Sequence, residues 1–212
     1  MPDSIIPSTE DHSISSIEEL EEVYGPVPER ALKKEIDYIS DDYRTWIENS
    51  PFVAVATVGP EGMDCSPRGD APGFVHVVDN KTLLIPDRRG NNRLDTLRNI
   101  VRDDRISLLF LIPGIGETMR VNGRAVITTE PELCASFEVQ GKAPASVIRI
   151  TVERIYFQCQ KAIARSGLWK PESQVERGTV PTAGKMLNGV MQGFDGEAYD
   201  RNYPEHMKKT IY

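Results

Sequence analysis

The sequence predicts a mainly β (α+β) protein: an antiparallel barrel with flanking helices, a helical N-terminal extension and a polar C-terminal tail. Three observations predict it. From Pro51 to Cys159 the apolar pattern takes a period of two, in about six or seven short runs. These runs are closely spaced with few helical stretches between them, which argues against the alternating order of a parallel α/β sheet. The 212 residues include 16 Gly and 15 Pro, enough for the many turns such a path needs. Three parts are expected: an extension (1–27), a main domain (28–170) and a tail (171–212).

In chain order, residues 1–14 are polar and Pro-containing, and are expected to be disordered or loosely packed. Ser15 and Ser16, with Glu18 and Glu19 three residues on, form overlapping capping boxes that open a helix ending near Gly25-Pro26. A second helix is expected over Pro28–Glu48, because Leu32, Ile36, Ile39, Tyr43 and Ile47 recur at spacings of three and four. Phe52–Val58 is a mostly buried strand, turned through Gly59-Pro60-Glu61-Gly62 into a second strand over Met63–Pro67. Phe74–Val78 and Thr82–Pro86 flank Asp79-Asn80 as a tight hairpin. A helix over Arg93–Arg102 precedes the near-continuous apolar strand Ile106–Ile112. Thr118–Thr128 sets Met119, Val121, Gly123, Ala125 and Ile127 on one face, with Arg120, Asn122 and Arg124 on the other. A helix over Pro131–Val139 leads to the last strand, Ser146–Cys159. Its alternation changes phase between Val152 and Ile155, as a β-bulge requires. One helix is expected after Pro181.

Composition narrows the function classes. The net charge of −7 disfavours nucleic acid or an anionic membrane as the main partner. No apolar run reaches membrane-spanning length and no export signal opens the chain, so a cytoplasmic location is expected. The three cysteines, Cys65, Cys134 and Cys159, lie far apart, form no metal or disulfide pattern, and are read as buried free thiols. His12, His76 and His206 are scattered, and His76 sits mid-strand in a structural setting. No nucleophile–base pair emerges and no catalytic residue is assigned.

Positive charge is nevertheless concentrated in one stretch, Asp87-Arg88-Arg89-Gly90-Asn91-Asn92-Arg93, between a strand and a helix. Gly90 permits a sharp turn and close approach to a ligand. Asn91 or Asn92 can cap the following helix, whose free N–H groups favour an anion. Arg88, Arg89 and Arg93 offer guanidinium forks suited to phosphate oxygens. Arg98, Arg102 and Arg105 are read instead as solvated charges paired with nearby acids. The turn is neither a P-loop nor a dinucleotide fingerprint. A second cluster, Cys65-Ser66-Pro67-Arg68-Gly69-Asp70, sends Ser66 and Arg68 to one side, within reach of the same anion or simply as a hairpin end.

Four segments in order, FVAVATVGPEGMDCSPRGD, LLIPDRRGNNRLDTLRNI, RISLLFLI and ETMRVNGRAVITT, resemble the pyridoxamine 5′-phosphate oxidase-like FMN-binding split-barrel superfamily over about residues 45–170. The resemblance implies a six-stranded split barrel, a homodimer and FMN sites in the dimer interface. It implies that Ser66, Pro67 and Arg68 lie along the flavin and its ribityl chain, and that Ile85, Pro86 and Asp87 lie beside the ring. Asn92 and Arg93 take the place of the phosphate-binding pair, with Arg88 and Asn91 assisting. Thr118 and Arg120 approach the ring from the neighbouring side. Arg165, Ser166 and Trp169 resemble a partner-derived segment that closes the site, although Trp169 equally suits packing of the tail. PELCASFEVQGKAPAS lacks the Tyr/Arg/Ser helix of the true oxidases, and the C-terminal stretch has no Arg-x-His. The resemblance therefore implies FMN-dependent hydride transfer to or from a small-molecule substrate or electron donor outside the vitamin-precursor class. The alternatives are a non-catalytic flavin- or haem-binding protein, a deazaflavin in place of FMN, and a nucleic-acid-binding barrel using Arg88–Arg105.

Overall fold

The computed structural model describes residues 12–212; most of the stretch expected to be loosely packed, residues 1–11, lies outside the described residues. The chain forms two compact units, divided after Lys34. In the first, helix α1 (Ile17–Tyr24) opens as its capping box dictates. Ser16 Oγ accepts from the Glu19 N–H (3.1 Å), and Glu19 Oε2 accepts from the Ser15 N–H (2.7 Å). Helix α2 (Glu29–Lys33) is short.

The expected Pro28–Glu48 helix is not continuous. Ile36 forms an antiparallel bridge with Ile155, its N–H and carbonyl bonded at 3.1 and 2.8 Å. Backbone groups spent on a strand cannot also carry a helix. Helix α3 (Asp41–Glu48) starts afresh where Ser40 Oγ accepts from the Tyr43 N–H. Ile36, Ile39, Tyr43 and Ile47 still meet the core, whereas Leu32 is exposed.

The second unit is built on one antiparallel sheet of strands β1 (Phe52–Gly59), β2 (Gly62–Gly69), β3 (His76–Val77), β4 (Thr82–Pro86), β5 (Arg105–Leu111), β6 (Thr118–Thr128) and β7 (Val147–Gln158). Their order is β2-β1-β5-β6-β7-β4-β3. There are seven strands rather than six, the extra one a two-residue pairing of His76 and Val77 with Leu84 and Leu83. The ladder is open between β2 and β3. The expected β-bulge is present: Asn122 faces Arg154 while Gly123 faces Val152, leaving Glu153 as the extra residue of β7. Gly123 is required there, because a Cβ would collide with the Thr151 carbonyl.

Helix α4 (Asp95–Arg102) packs across β1, β2 and β6, with Ile100 buried among Val53, Val55, Leu108, Phe110, Val121 and Ile150. Helix α5 (Pro131–Ser136) is shorter than expected and covers Leu84 and Val147 with Leu133, Cys134 and Phe137. One sequence expectation fails along the outer surfaces. Cys65 and Cys159 are exposed, and only Cys134 is buried. Cys65 lies on the outward face of the edge strand β2, and Cys159 follows the last residue of β7. Beyond the bulge Ile155 is buried, but Phe157 is 41% exposed.

Beyond the short helix α6 (Lys161–Ser166), the tail contains two helices rather than one, α7 (Ala183–Val190) and α8 (Gly196–Thr210). They touch at glycine on glycine: a Cβ on Gly184 would run into the Gly196 carbonyl. Asp200 Oδ1 accepts the Gly184 N–H at 2.9 Å and ties the pair. Among the described residues no helix is long and apolar enough to cross a membrane, and no His, Cys, Asp or Glu cluster suits a metal ion.

Candidate functional site

The inner face of β2 is polar along its length. At a period of two, Asp64, Ser66, Arg68 and Asp70 are half-buried, while the residues between them are exposed. Strand β4 ends nearby in buried Ile85 and Pro86, and the chain then crosses to α4 through the 87–94 turn. A groove of about 1430 Å³ lies between these segments. Ser66, Pro67, Arg68, Pro86, Asp87, Arg88, Asn91, Asn92 and Arg93 all line it. Ile85 is fully buried behind it.

Within the groove, neighbouring arginines take different roles. Arg88 donates from Nε to Asp70 Oδ2 (2.9 Å) and from Nη1 to the Phe137 carbonyl (2.6 Å). It also lies 5.6 Å from the ring centre of Tyr212. Its side chain is 16% exposed and that of Asp70 5%, so this is a largely buried pair. Arg93 is open to solvent and donates to Asp95 Oδ2 at 2.8 Å. Arg68 lies 3.5 Å from Asp87. Arg89, on the exposed crest of the turn, has no carboxylate partner among the described residues.

Neither Asn91 nor Asn92 caps α4, a correction to the sequence expectation. Asn91 Oδ1 accepts the Arg93 N–H (3.1 Å), closing a local Asx turn. Asn92 and Leu94 both have φ of 62°, and Leu94 occupies the cap position with no side-chain bond. The first turn of α4 is thus left without a side-chain cap, next to Arg89 and Arg93. Asp64 is held by Thr96 Oγ1 (2.8 Å) and Ser66 Oγ (3.0 Å), which joins β2 to that turn.

Burial pushes the Asp87 carboxyl above its ordinary value, and Arg68 draws it only part of the way back. Burial would also raise Asp70. The Tyr212 hydroxyl (2.7 Å), the Ala71 N–H and Arg88 outweigh it and hold that carboxyl low. Burial, with Arg88 second, holds His76 below the usual imidazole value, stacked 4.1 Å from Phe137. That suits a structural role.

Besides the buried Ile85, five expected residues do not line the groove of their own chain. Thr118 and Arg120 bond across to β7, to Gln158 (3.3 Å) and the Tyr156 hydroxyl (3.2 Å). Arg165 and Ser166 lie on α6, and Trp169 Nε1 donates to the Ile115 carbonyl at 2.7 Å. Sequence reasoning missed the tail. Ile211 and Tyr212 form part of the rim, where Lys142 Nζ donates to the Tyr212 main-chain oxygen at 2.7 Å. No local pattern marks a distant Ile-Tyr as a groove wall. Asp64 was legible in principle, as the first member of the polar alternation on β2.

The fold and groove define a class of open antiparallel β proteins with a basic turn and a helix start at the edge of one groove. The chain belongs to the pyridoxamine 5′-phosphate oxidase family, whose profile matches residues 39–159. No curated protein sequence matches it. Similar solved structures include HupZ of Group A Streptococcus, with a TM-score of 0.45 and 25% identity over 55% of this chain and 91% of that one. General Stress Protein 26 of Bacillus anthracis has a TM-score of 0.42 and 16% identity over 53% and 88%. The FAD binding protein from Mycobacterium smegmatis has a TM-score of 0.40 and 13% identity over 58% and 97%.

Proposed function

We propose that the protein is an FMN-dependent oxidoreductase of the cytoplasm, acting on a small molecule outside the vitamin-precursor class. The observation that carries this reading is the donor set at the 88–93 turn. There, Arg89, unpaired among the described residues, the exposed Arg93 and the amides of Asn91 and Asn92 border an uncapped helix start in a member of this family. These groups fit a phosphate monoester: guanidinium forks and amides donate, and the helix end adds positive potential. Arg88, assigned to assist in the sequence reading, is held instead by Asp70.

In this reading Ser66, Pro67 and Arg68 border the ribityl chain and the ring edge, while Ile85 and Pro86 back the ring with apolar surface. Asp87, whose carboxyl burial pushes above its ordinary value, would border the ring with Arg68 as its counter-charge. A bound flavin supplies hydride transfer; the protein orients the partners and limits water. Thr118, Arg120, Arg165, Ser166 and Trp169 reach the site from a second copy in a homodimer, which fits their absence from the lining of their own chain's groove. A monomer by light scattering with flavin bound would remove that part of the proposal.

The function is tested by the absorption spectrum of the purified protein and its response to added FMN. The expected result is a bound flavin band that bleaches with a hydride donor. A protein that stays colourless with FMN present overturns the reading. Bound flavin that no donor reduces points to the non-catalytic carrier.

A further inference from the structure

A second depression, about 780 Å³, lies between the 89–91 turn and helix α8. It meets the first groove at Arg89, Gly90, Asn91 and Ile211, which line both. Its far wall is aromatic. Tyr199, Tyr203 and His206 follow a spacing of four and three, so they share one face of α8. Tyr199 and Tyr203 stack with ring centres 5.6 Å apart, and His206 follows at 6.5 Å. Tyr203 is 44% exposed.

Charge is as telling as shape. Among the described residues no Asp or Glu lines this depression, whereas Asp64, Asp70, Asp87 and Asp95 all line the first. Among the described residues its one guanidinium is Arg89, which has no carboxylate partner to surrender. Aromatic faces accept any planar base, and a guanidinium beside asparagine amides accepts phosphate. The size is that of a small-molecule pocket.

We propose that this depression takes the planar base of a nucleoside 5′-phosphate, with the base against Tyr203 and the phosphate on Arg89 where the two grooves meet. The proposal rests on the flavin reading only for the occupant of the first groove. The same chemistry has two sources: the adenosine half of FAD, spanning both grooves, or a separate nucleotide bound beside FMN, its phosphate sharing the Arg89 guanidinium with that of FMN.

The test is calorimetric titration of the full-length chain with AMP, FMN and FAD, in the unaltered protein and in Tyr203→Ala and Tyr203→Phe. Tyr203→Ala is expected to weaken AMP binding roughly tenfold and leave FMN unchanged, while Tyr203→Phe, which keeps the ring, retains AMP affinity. If FAD displaces AMP and loses the same factor in Tyr203→Ala, the occupant is the distal half of FAD. If FMN-saturated protein still takes AMP, it is a separate nucleotide. The proposal is overturned if millimolar AMP does not bind, or if Tyr203→Ala leaves AMP binding unchanged. Failure of FMN to bind while AMP binds through Tyr203 sinks the flavin reading and leaves this one standing; FMN binding without AMP does the reverse.

Discussion

The two sides of the main groove are built from similar residues and behave differently. On the inner side Arg88, Asp70, Tyr212 and the Phe137 carbonyl form a closed, largely buried set. On the outer side Arg89 is unpartnered among the described residues, and Arg93 holds an exposed neighbour, Asp95. Arginines adjacent in sequence therefore divide between a buried ion pair and an exposed charge. Burial decides which is which: a sequestered guanidinium must be matched by the fold, whereas an exposed one remains available to a ligand.

The largest expected effect probes the inner side. Asp70→Ala strands Arg88 without its carboxylate and should lower stability by about 2–3 kcal/mol in denaturant melts. A loss within the scatter of surface substitutions would show that the closed set is not structural. The same contact gives a pH signature. Asp70 is held below its ordinary 3.8. Its contribution is therefore complete above that value and is lost as pH falls through the lower, folded one. Hydrogen exchange at the end of α8 should accelerate in that acidic window, and the acceleration should vanish in Asp70→Asn.

Smaller effects probe the outer side. Arg89→Ala should weaken FMN roughly ten- to a hundredfold with an unchanged melting profile. Arg93→Ala should cost less, because Arg93 must first leave Asp95. If Arg93→Ala proves the more damaging by fluorescence titration, the phosphate lies nearer the helix than the crest of the turn.

Much of the architecture could be read from alternation. The bounds of β4 and β6 match the sequence reading, and the phase change in β7 marks a real bulge around Glu153. Local pattern failed where distant groups competed for the same backbone or charge. Ile36 has helical spacing, but Ile155 takes its hydrogen bonds. Asn91 has the chemistry of a cap, but its side chain closes its own turn. Arg88 reads like Arg89 until Asp70 and Phe137, from other parts of the chain, claim it. The Tyr212 contact carries no local signal at all.

The open ends of the sheet bear on how copies can associate. Unpaired strand borders invite strand addition, yet here one border carries a proline, Pro67, and the other is only His76–Val77. A proline offers no N–H to an incoming strand, and two residues give little length to zip against. Self-association by extending this sheet is therefore disfavoured, which leaves side-chain surfaces as the means by which two copies would join.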